Sequence, residues 1–219
     1  MNELHRTRGE AIEGKPRPVA PLGRPSVGEE LPDLSPAELL SLEHDLIRRV
    51  VTALERQSTR IGDAGGVDPV FLATVIDFIV TYAGQVHHGK EEEILFRQLH
   101  EKQLSSEHRQ MMEELAREHV EMRRLAGELE EAEEEYQQGE GGALDRIQEA
   151  SDSLIDLYPG HIETEDEAFF PAAMDYLDDE ERRRVLEAMR GHDRAMIHEK
   201  YGSVADALDA RTEDWALRE

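Results

Sequence analysis

The sequence predicts an all-α protein: an up-down-up-down four-helix bundle with an extra C-terminal helix and a disordered N-terminal tail. Three observations predict it. Apolar residues recur at helical spacing through four long segments separated by Gly-, Pro- and Ser-rich breaks. Charged residues make up 34% of the chain and aromatics only 5%, as expected of long helices with solvated faces. Two stretches are copies of one another, so the bundle reads as two helical hairpins.

Residues 1–33 hold five of the nine prolines and show no apolar periodicity, which reads as a disordered tail. The first helix begins at Ser35-Pro36-Ala37-Glu38, with a capping Ser, Pro at the first helical position and Glu at the third. Its stripe is Leu40, His44, Ile47, Val51 and Leu54, and Gly62–Gly66 ends it. Asp68-Pro69 opens the second helix, which runs to about His100 with the stripe Ala73, Ile76, Val80, Ala83, His87, Glu91 and Ile94. Ser105 or Ser106 caps the third, which carries Met112, Leu115, His119, Met122, Ala126 and Leu129 and stops at Gly139-Glu140-Gly141-Gly142. The fourth presents Leu154, Leu157, His161, Glu165, Ala168 and Ala172; Pro159 and Pro171 are points where it could kink. A fifth begins near Asp178 and carries Val185, Met189, His192 and Met196. The expected division is a tail over 1–33, a bundle over 34–177 and a helical extension over 178–219.

Composition excludes several function classes. The absence of cysteine removes disulfides, iron–sulfur clusters and thiolate zinc sites. A net charge of −25 repels phosphate backbones, so no nucleic-acid partner is expected. No run of ~18 apolar residues is evident and nothing resembles a signal peptide, so the expectation is a soluble, cytoplasmic protein with no membrane partner.

The repeat carries the chemistry. His87-His88-Gly89-Lys90-Glu91-Glu92-Glu93-Ile94-Leu95-Phe96 returns in the second half as His161-Ile162-Glu163-Thr164-Glu165-Asp166-Glu167-Ala168-Phe169-Phe170. Upstream, Glu43-His44 returns at nearly the same offset as Glu118-His119. Each hairpin therefore carries a His, then His-x-x-x-Glu, whose members share one helix face. His44 lies ~15 residues from the end of its helix and His87 ~18 from the start of the next; the other connections match as closely, so at ~1.5 Å per residue all four histidines fall in one layer. Four core histidines and two core glutamates at one level are hard to satisfy without a ligand. His88 points ~100° away from His87 on an α-helix, which suggests solvent or an outer role. His5, His100, His108 and His198 read as surface residues, and His192 as packing. Tyr82 and Tyr158 lie near the layer and read first as core.

Four imidazoles and two carboxylates exceed what one tetrahedral zinc takes. Divided between two metals, they give two imidazoles each with both carboxylates able to bridge. Octahedral ions would then have room for an oxo or hydroxo bridge and an open position. Such a donor set suits iron best, with manganese and zinc as competitors. The expected ligands of such a pair are His44, His87, Glu91, His119, His161 and Glu165, with iron the best-suited metal.

On these motifs, from the Glu-His steps at His44 and His119 to HHGKEEEILF at 87–96 and HIETEDEAFFP at 161–171, the sequence resembles the hemerythrin-like family, specifically its HHE cation-binding domain. The resemblance spans about 36–175. It implies a bundle around a non-haem di-iron centre that binds or reacts with dioxygen, peroxide or nitric oxide; the alternative it implies is a non-catalytic iron or oxygen sensor, or an iron-handling module that repairs iron centres. Oxygen carriers of this family have a second histidine four residues after the third-helix ligand, where Arg123 stands here. One fewer histidine and a more symmetric site favour redox chemistry or sensing over simple carriage. The ligand set is closer to the repair proteins, without their cysteine-bearing N-terminal module. In carriers the fourth-helix carboxylate is an Asp five residues after its His, the position of Asp166. The repeat instead aligns Glu165 with Glu91, and position four lies ~40° round the helix from His161 against ~140° for position five, which assigns the role to Glu165.

Overall fold

The protein is described by a computed structural model over residues 34–64, 66–193 and 201–209. The N-terminal tail, Met196, His198 and Trp215 lie outside them. The described residues form helices and short connections, with no strand among them. Helix α1 spans Pro36–Ala64. Its start is the expected capping box: the Ser35 amide donates to Glu38 Oε2 at 2.7 Å, and the Glu38 amide donates to Ser35 Oγ at 3.2 Å. Helix α2 spans Pro69–His100, capped by the Asp68 carboxylate, which accepts from the Val70 and Phe71 amides. Helix α3 spans Ser106–Gln138; Ser105 caps it and Gly139, at φ 78°, ends it in the left-handed region that glycine enters without steric cost. Helix α4 runs over 143–175, passing both Pro159 and Pro171 without ending.

Helix α2 departs from a plain α-helix in a way that positions the site. It is π-wound over Phe78–His87 and again over Glu91–Phe96. The cause is visible in the residues it buries. Phe71, Val75, Ile79, Ala83, His87, Glu91, Leu95 and Leu99 are all buried, one every four residues. An α-helix turns once per ~3.6 residues, so a strict four-residue stripe would drift ~40° per step. Wider winding keeps that stripe on one face. The expected stripe followed the α period too closely: Ala73 is exposed and Val80 only half-buried, while Phe71, Leu72, Phe78 and Tyr82 are core. Helix α4 repeats the device over Glu165–Phe169, at the matching place in the repeat.

Helix α5 spans Asp179–His192 and begins with a reciprocal capping box between Asp178 and Glu181. It packs on α1 and on the second π-wound stretch of α2. Its last residue, His192, donates from Nε2 to the Gln85 carbonyl at 3.1 Å and lies against Gly89, where an added Cβ would come within 3.0 Å of the ring. Replacing Asp178 with Ala removes one box and should cost about 1 kcal/mol in urea unfolding; an unchanged midpoint would mean α5 contributes nothing to cooperative unfolding. Residues 201–209 are also helical and bury Tyr201, Ala205 and Leu208. The Tyr201 hydroxyl donates to Asp77 Oδ2 at 2.8 Å, and Arg49 binds Asp206 and Asp209.

This cover accounts for the apolarity of α2. Contrary to the composition-based expectation, Pro69–His100 is long and apolar enough to cross a membrane by those measures alone. Half of its most apolar window is buried within the protein, and over 86–91 only Gly89 is not buried. A helix covered on several sides needs that composition in any case.

The core divides into two apolar clusters. One is built on Ile47, Val75, Ile79, Leu125 and Leu154, the other on Leu40, Leu95, Leu115 and Phe169. Between them lies a buried layer of polar side chains.

Candidate metal centre

The six expected residues meet in that layer. Each of the four bundle helices contributes one histidine of the set; α2 and α4 add Glu91 and Glu165, four residues further along the same face. His44, Glu91, His119 and Glu165 have no exposed surface, and His87 and His161 are within 2% of it. His44 Nε2 lies 3.2 Å from Glu165 Oε2, and His161 Nε2 also 3.2 Å from that oxygen. His87 Nε2 is 3.4 Å from Glu91 Oε1, and His119 Nε2 is 3.3 Å from Glu91 Oε2. Glu91 thus faces both hairpins with separate oxygens, and Glu165 faces both with one.

The other nitrogen of each ring is committed elsewhere. His44 Nδ1 pairs with Asp166 at 2.9 Å, His87 Nδ1 with Glu43 at 2.8 Å, His119 Nδ1 with Glu92 at 2.9 Å and His161 Nδ1 with Glu118 at 2.7 Å. A carboxylate on Nδ1 fixes the proton there and turns the Nε2 lone pair inward, the arrangement that orients a metal-binding imidazole. These outer carboxylates obey the repeat as well. Glu43 corresponds to Glu118, and Glu92 to Asp166. Arg48 binds Asp166 at 2.6 Å, and its counterpart Arg123 binds Glu92 at 2.7 Å. Phe170 stacks on His44 and its counterpart Phe96 on His119, with ring centroids 5.7 and 6.0 Å apart. Sequence reasoning weighed Asp166 only as a rival to Glu165; it is the partner of His44. Glu43 and Glu118 had not been given a role, although the repeated Glu-His step was their signal.

His88 corrects one of its two expected readings, the solvent one. It is 1% exposed rather than solvated. Its ring stacks on His119 with centroids 4.0 Å apart and planes 13° from parallel. The flank ~100° round from His87 is not solvent, because α3 packs along it and brings His119 against His88. Tyr158 is buried near it, centroids 6.4 Å apart. His100 is exposed as expected, whereas His108 is half-buried and pairs with the Tyr176 hydroxyl at 2.8 Å.

Electrostatics state the problem the layer poses. Burial pushes the Glu91 carboxyl up, and the Glu165 charge adds to that. Burial also opposes ionisation of Glu165, but the neighbouring His161, His119 and His44 outweigh it and bring Glu165 to about 2. Burial lowers His44, yet Asp166 and Glu165 outweigh it and raise this ring to about 9. Burial, followed by the neighbouring imidazoles, holds both His87 and His88 well below the ordinary value, as neutral rings. Both oxygens of Glu91 and of Glu165, together with Nε2 of His44 and His87, are buried without a hydrogen-bond partner. Buried carboxylates so arranged are costly unless a cation joins them. The inward-facing donors are nitrogen and oxygen atoms at a density that suits a metal, and one atom each from His44, His87, Glu91 and Glu165 lie within 4.8 Å of one another.

Comparison with known proteins agrees with this chemistry. Neither a curated protein nor a solved structure matched the chain. The family model of the hemerythrin HHE cation binding domain matches residues 35–173, and a second, overlapping match covers 110–219. The second match begins within α3, the helix that the internal repeat equates with α1. With its histidines and glutamates gathered in one buried layer and most of its length matched, this chain belongs to the hemerythrin HHE cation-binding domain family.

Proposed function

We propose that the protein holds two iron ions in this layer and that a small diatomic molecule or a peroxide binds or reacts there. The observation that carries the reading is the division of labour on the four imidazoles. All four Nδ1 atoms are held by carboxylates, while the Nε2 atoms converge on Glu91 and Glu165. Bound iron would supply Lewis acidity and one-electron chemistry. The chain's own groups do the rest. The outer carboxylates orient the rings, Phe96 and Phe170 cover two of them, and the two apolar clusters keep water away.

An open groove of about 270 Å³ supports a small ligand. It runs along Ile79, Val80, Gly84 and Met122 to His88 and Tyr158. Its lining is mainly apolar, which suits an uncharged gas or peroxide better than a charged metabolite. The acidic surface favours neither a nucleic-acid nor an anionic-membrane partner, in keeping with a cytoplasmic protein.

The test is aerobic iron quantification, followed by anomalous scattering at the iron edge. Two peaks ~3–4 Å apart are expected, the separation usual for two-metal sites. One peak, or zinc alone after growth with ample iron, would sink the reading. Absorption changes on adding oxygen, peroxide or nitric oxide then test reactivity; loaded protein silent to all three would leave the metal a structural role. Iron removal should also lower the melting temperature. Ligand at 100 times its dissociation constant adds about 2.7 kcal/mol, and ~2–4 °C per kcal/mol at this chain length gives a loss of ~5–10 °C. Identical melting curves for iron-free and loaded protein would show that the layer is satisfied without metal.

A further inference from the structure

The two hairpins match in their ligands, outer carboxylates, arginines and covering phenylalanines, but the attachment of the C-terminal segment is not two-fold. Residues 201–209 and the end of α5 touch α2 along its π-wound stretch Phe78–His87. The Tyr201 hydroxyl donates to Asp77 Oδ2 at 2.8 Å, one residue before that stretch begins. Its ring meets Phe78 edge-on, with centroids 5.5 Å apart. His192 donates to the Gln85 carbonyl at 3.1 Å, two residues before His87. Asp193 binds Lys90, three residues after it. The segment thus holds α2 on both sides of the turn that presents His87.

The last of these contacts leads to the buried layer. Lys90 is completely buried and binds Glu43 as well as Asp193. Glu43 accepts from His87 Nδ1 at 2.8 Å with its other oxygen. The second hairpin has no such chain of contacts. Thr164 stands at the place of Lys90, and the Glu118 side chain that holds His161 is 27% exposed where that of Glu43 is 3% exposed. The sign of a coupling along this chain follows from charge. A cation on His87 Nε2 draws electron density from the ring, so Nδ1–H binds the Glu43 carboxylate more strongly. A carboxylate fixed there holds Lys90 in place for Asp193. In the other direction, docking brings the Asp193 carboxylate up to Lys90, and added negative charge near the layer favours cations in it.

We propose that docking of the C-terminal segment and metal binding in the layer are coupled through Lys90: metal tightens the segment on the bundle, and the docked segment tightens the metal. This rests on the metal-binding reading above. The two-state element is the segment itself, docked or released, and both Asp193 and the metal bias it the same way. The segment then reports on the layer from outside it. Emptying the layer weakens the hold on a helix whose Tyr201, Ala205 and Leu208, at helical spacing, form one buried apolar face.

The test uses the full chain and hydrogen–deuterium exchange over residues 201–209, compared between iron-loaded and chelator-stripped protein. Iron should slow exchange there about tenfold beyond any change over residues 143–153, tenfold being the low end of the effect of losing an outer partner of a metal-binding histidine. Coupling is reciprocal, so the same factor must appear in metal affinity. Leu208→Asp puts a carboxylate on the buried apolar face and drives the segment off. Chelator competition should then show iron held about tenfold less tightly, although Leu208 is no part of the layer. Asp193→Asn keeps the shape and removes the charge; it should weaken iron binding as much, and iron should no longer slow exchange over 201–209. If Asp193→Asn speeds exchange equally with and without iron and leaves iron affinity unchanged, Asp193 is structural and the proposal fails. It fails without any variant if wild-type exchange over 201–209 is the same loaded and stripped. If the wild type binds no iron, the metal reading itself fails and takes this one with it.

Discussion

Glu165→Ala should reduce bound iron from two per chain to at most one, whereas Asp166→Ala should keep two at saturation with weaker retention. The carboxylates are adjacent in sequence and perform different tasks. Glu165 is fully buried and presents one oxygen to both His44 and His161, each at 3.2 Å. Removing it takes away a donor shared by both hairpins. Asp166 stands outside the ring of His44, accepting from Nδ1 at 2.9 Å and from the Ser41 hydroxyl at 2.6 Å, with Arg48 on its second oxygen at 2.6 Å. Its loss frees the His44 ring to turn and removes the acceptor that fixes its tautomer, an effect on the order of 10- to 100-fold in metal affinity. Glu91→Ala and Glu92→Ala should repeat the contrast in the other hairpin, since the repeat pairs them with Glu165 and Asp166. Iron content and chelator competition measure all four. If Asp166→Ala, and not Glu165→Ala, lost the pair of irons, the bridging role would pass to Asp166.

The repeat explains why so much of the site was legible. A lone histidine on an apolar stripe says little, but here each signal occurs twice at a nearly fixed offset. Two copies place His44 with His119, His87 with His161 and Glu91 with Glu165 before any packing is known. Hairpin arms of similar length then put all of them at about one height. What the sequence did not show depends on winding and on neighbours. His88 was placed by its angle from His87 alone, and α3 covers the flank to which that angle points. Ala73 and Val80 were misplaced because the α period was carried through the π-wound stretch Phe78–His87. The four-residue spacing of Phe71, Val75, Ile79, Ala83, His87, Glu91, Leu95 and Leu99 was the available signal, because only a helix wound more widely than α keeps such a stripe straight. Glu43 and Glu118 were harder to assign, since each reaches a histidine on the neighbouring helix, and that pairing depends on how adjacent helices rotate.

Lys90→Ala should be among the most destabilising single changes outside the metal-binding set, although nothing in the repeat marks this residue. Its counterpart in the repeat is Thr164, so the second hairpin has no equivalent. Lys90 is completely buried and binds two carboxylates, Glu43 on α1 and Asp193 just after α5. Glu43 is 3% exposed and accepts from His87 Nδ1 at 2.8 Å with its other oxygen. The lysine therefore supplies the counter-charge for the carboxylate that orients a ligand, and it ties the end of α5 to the bundle. Truncating one member of a buried ion pair leaves the other charge uncompensated, at a cost of about 3–5 kcal/mol. At ~2–4 °C per kcal/mol for a chain of this length, the melting temperature should fall by roughly 10 °C. Measuring iron-free protein separates this loss from any change in metal retention. The pair is best isolated by a double-mutant cycle with Lys90→Met and Glu43→Gln. Once Glu43 is neutral, Lys90→Met should cost markedly less than it does alone. Fully additive losses, or a Lys90→Met variant within ~0.5 kcal/mol of wild type, the usual range for surface substitutions, would mean that the Lys90–Glu43 pair does not stabilise the bundle.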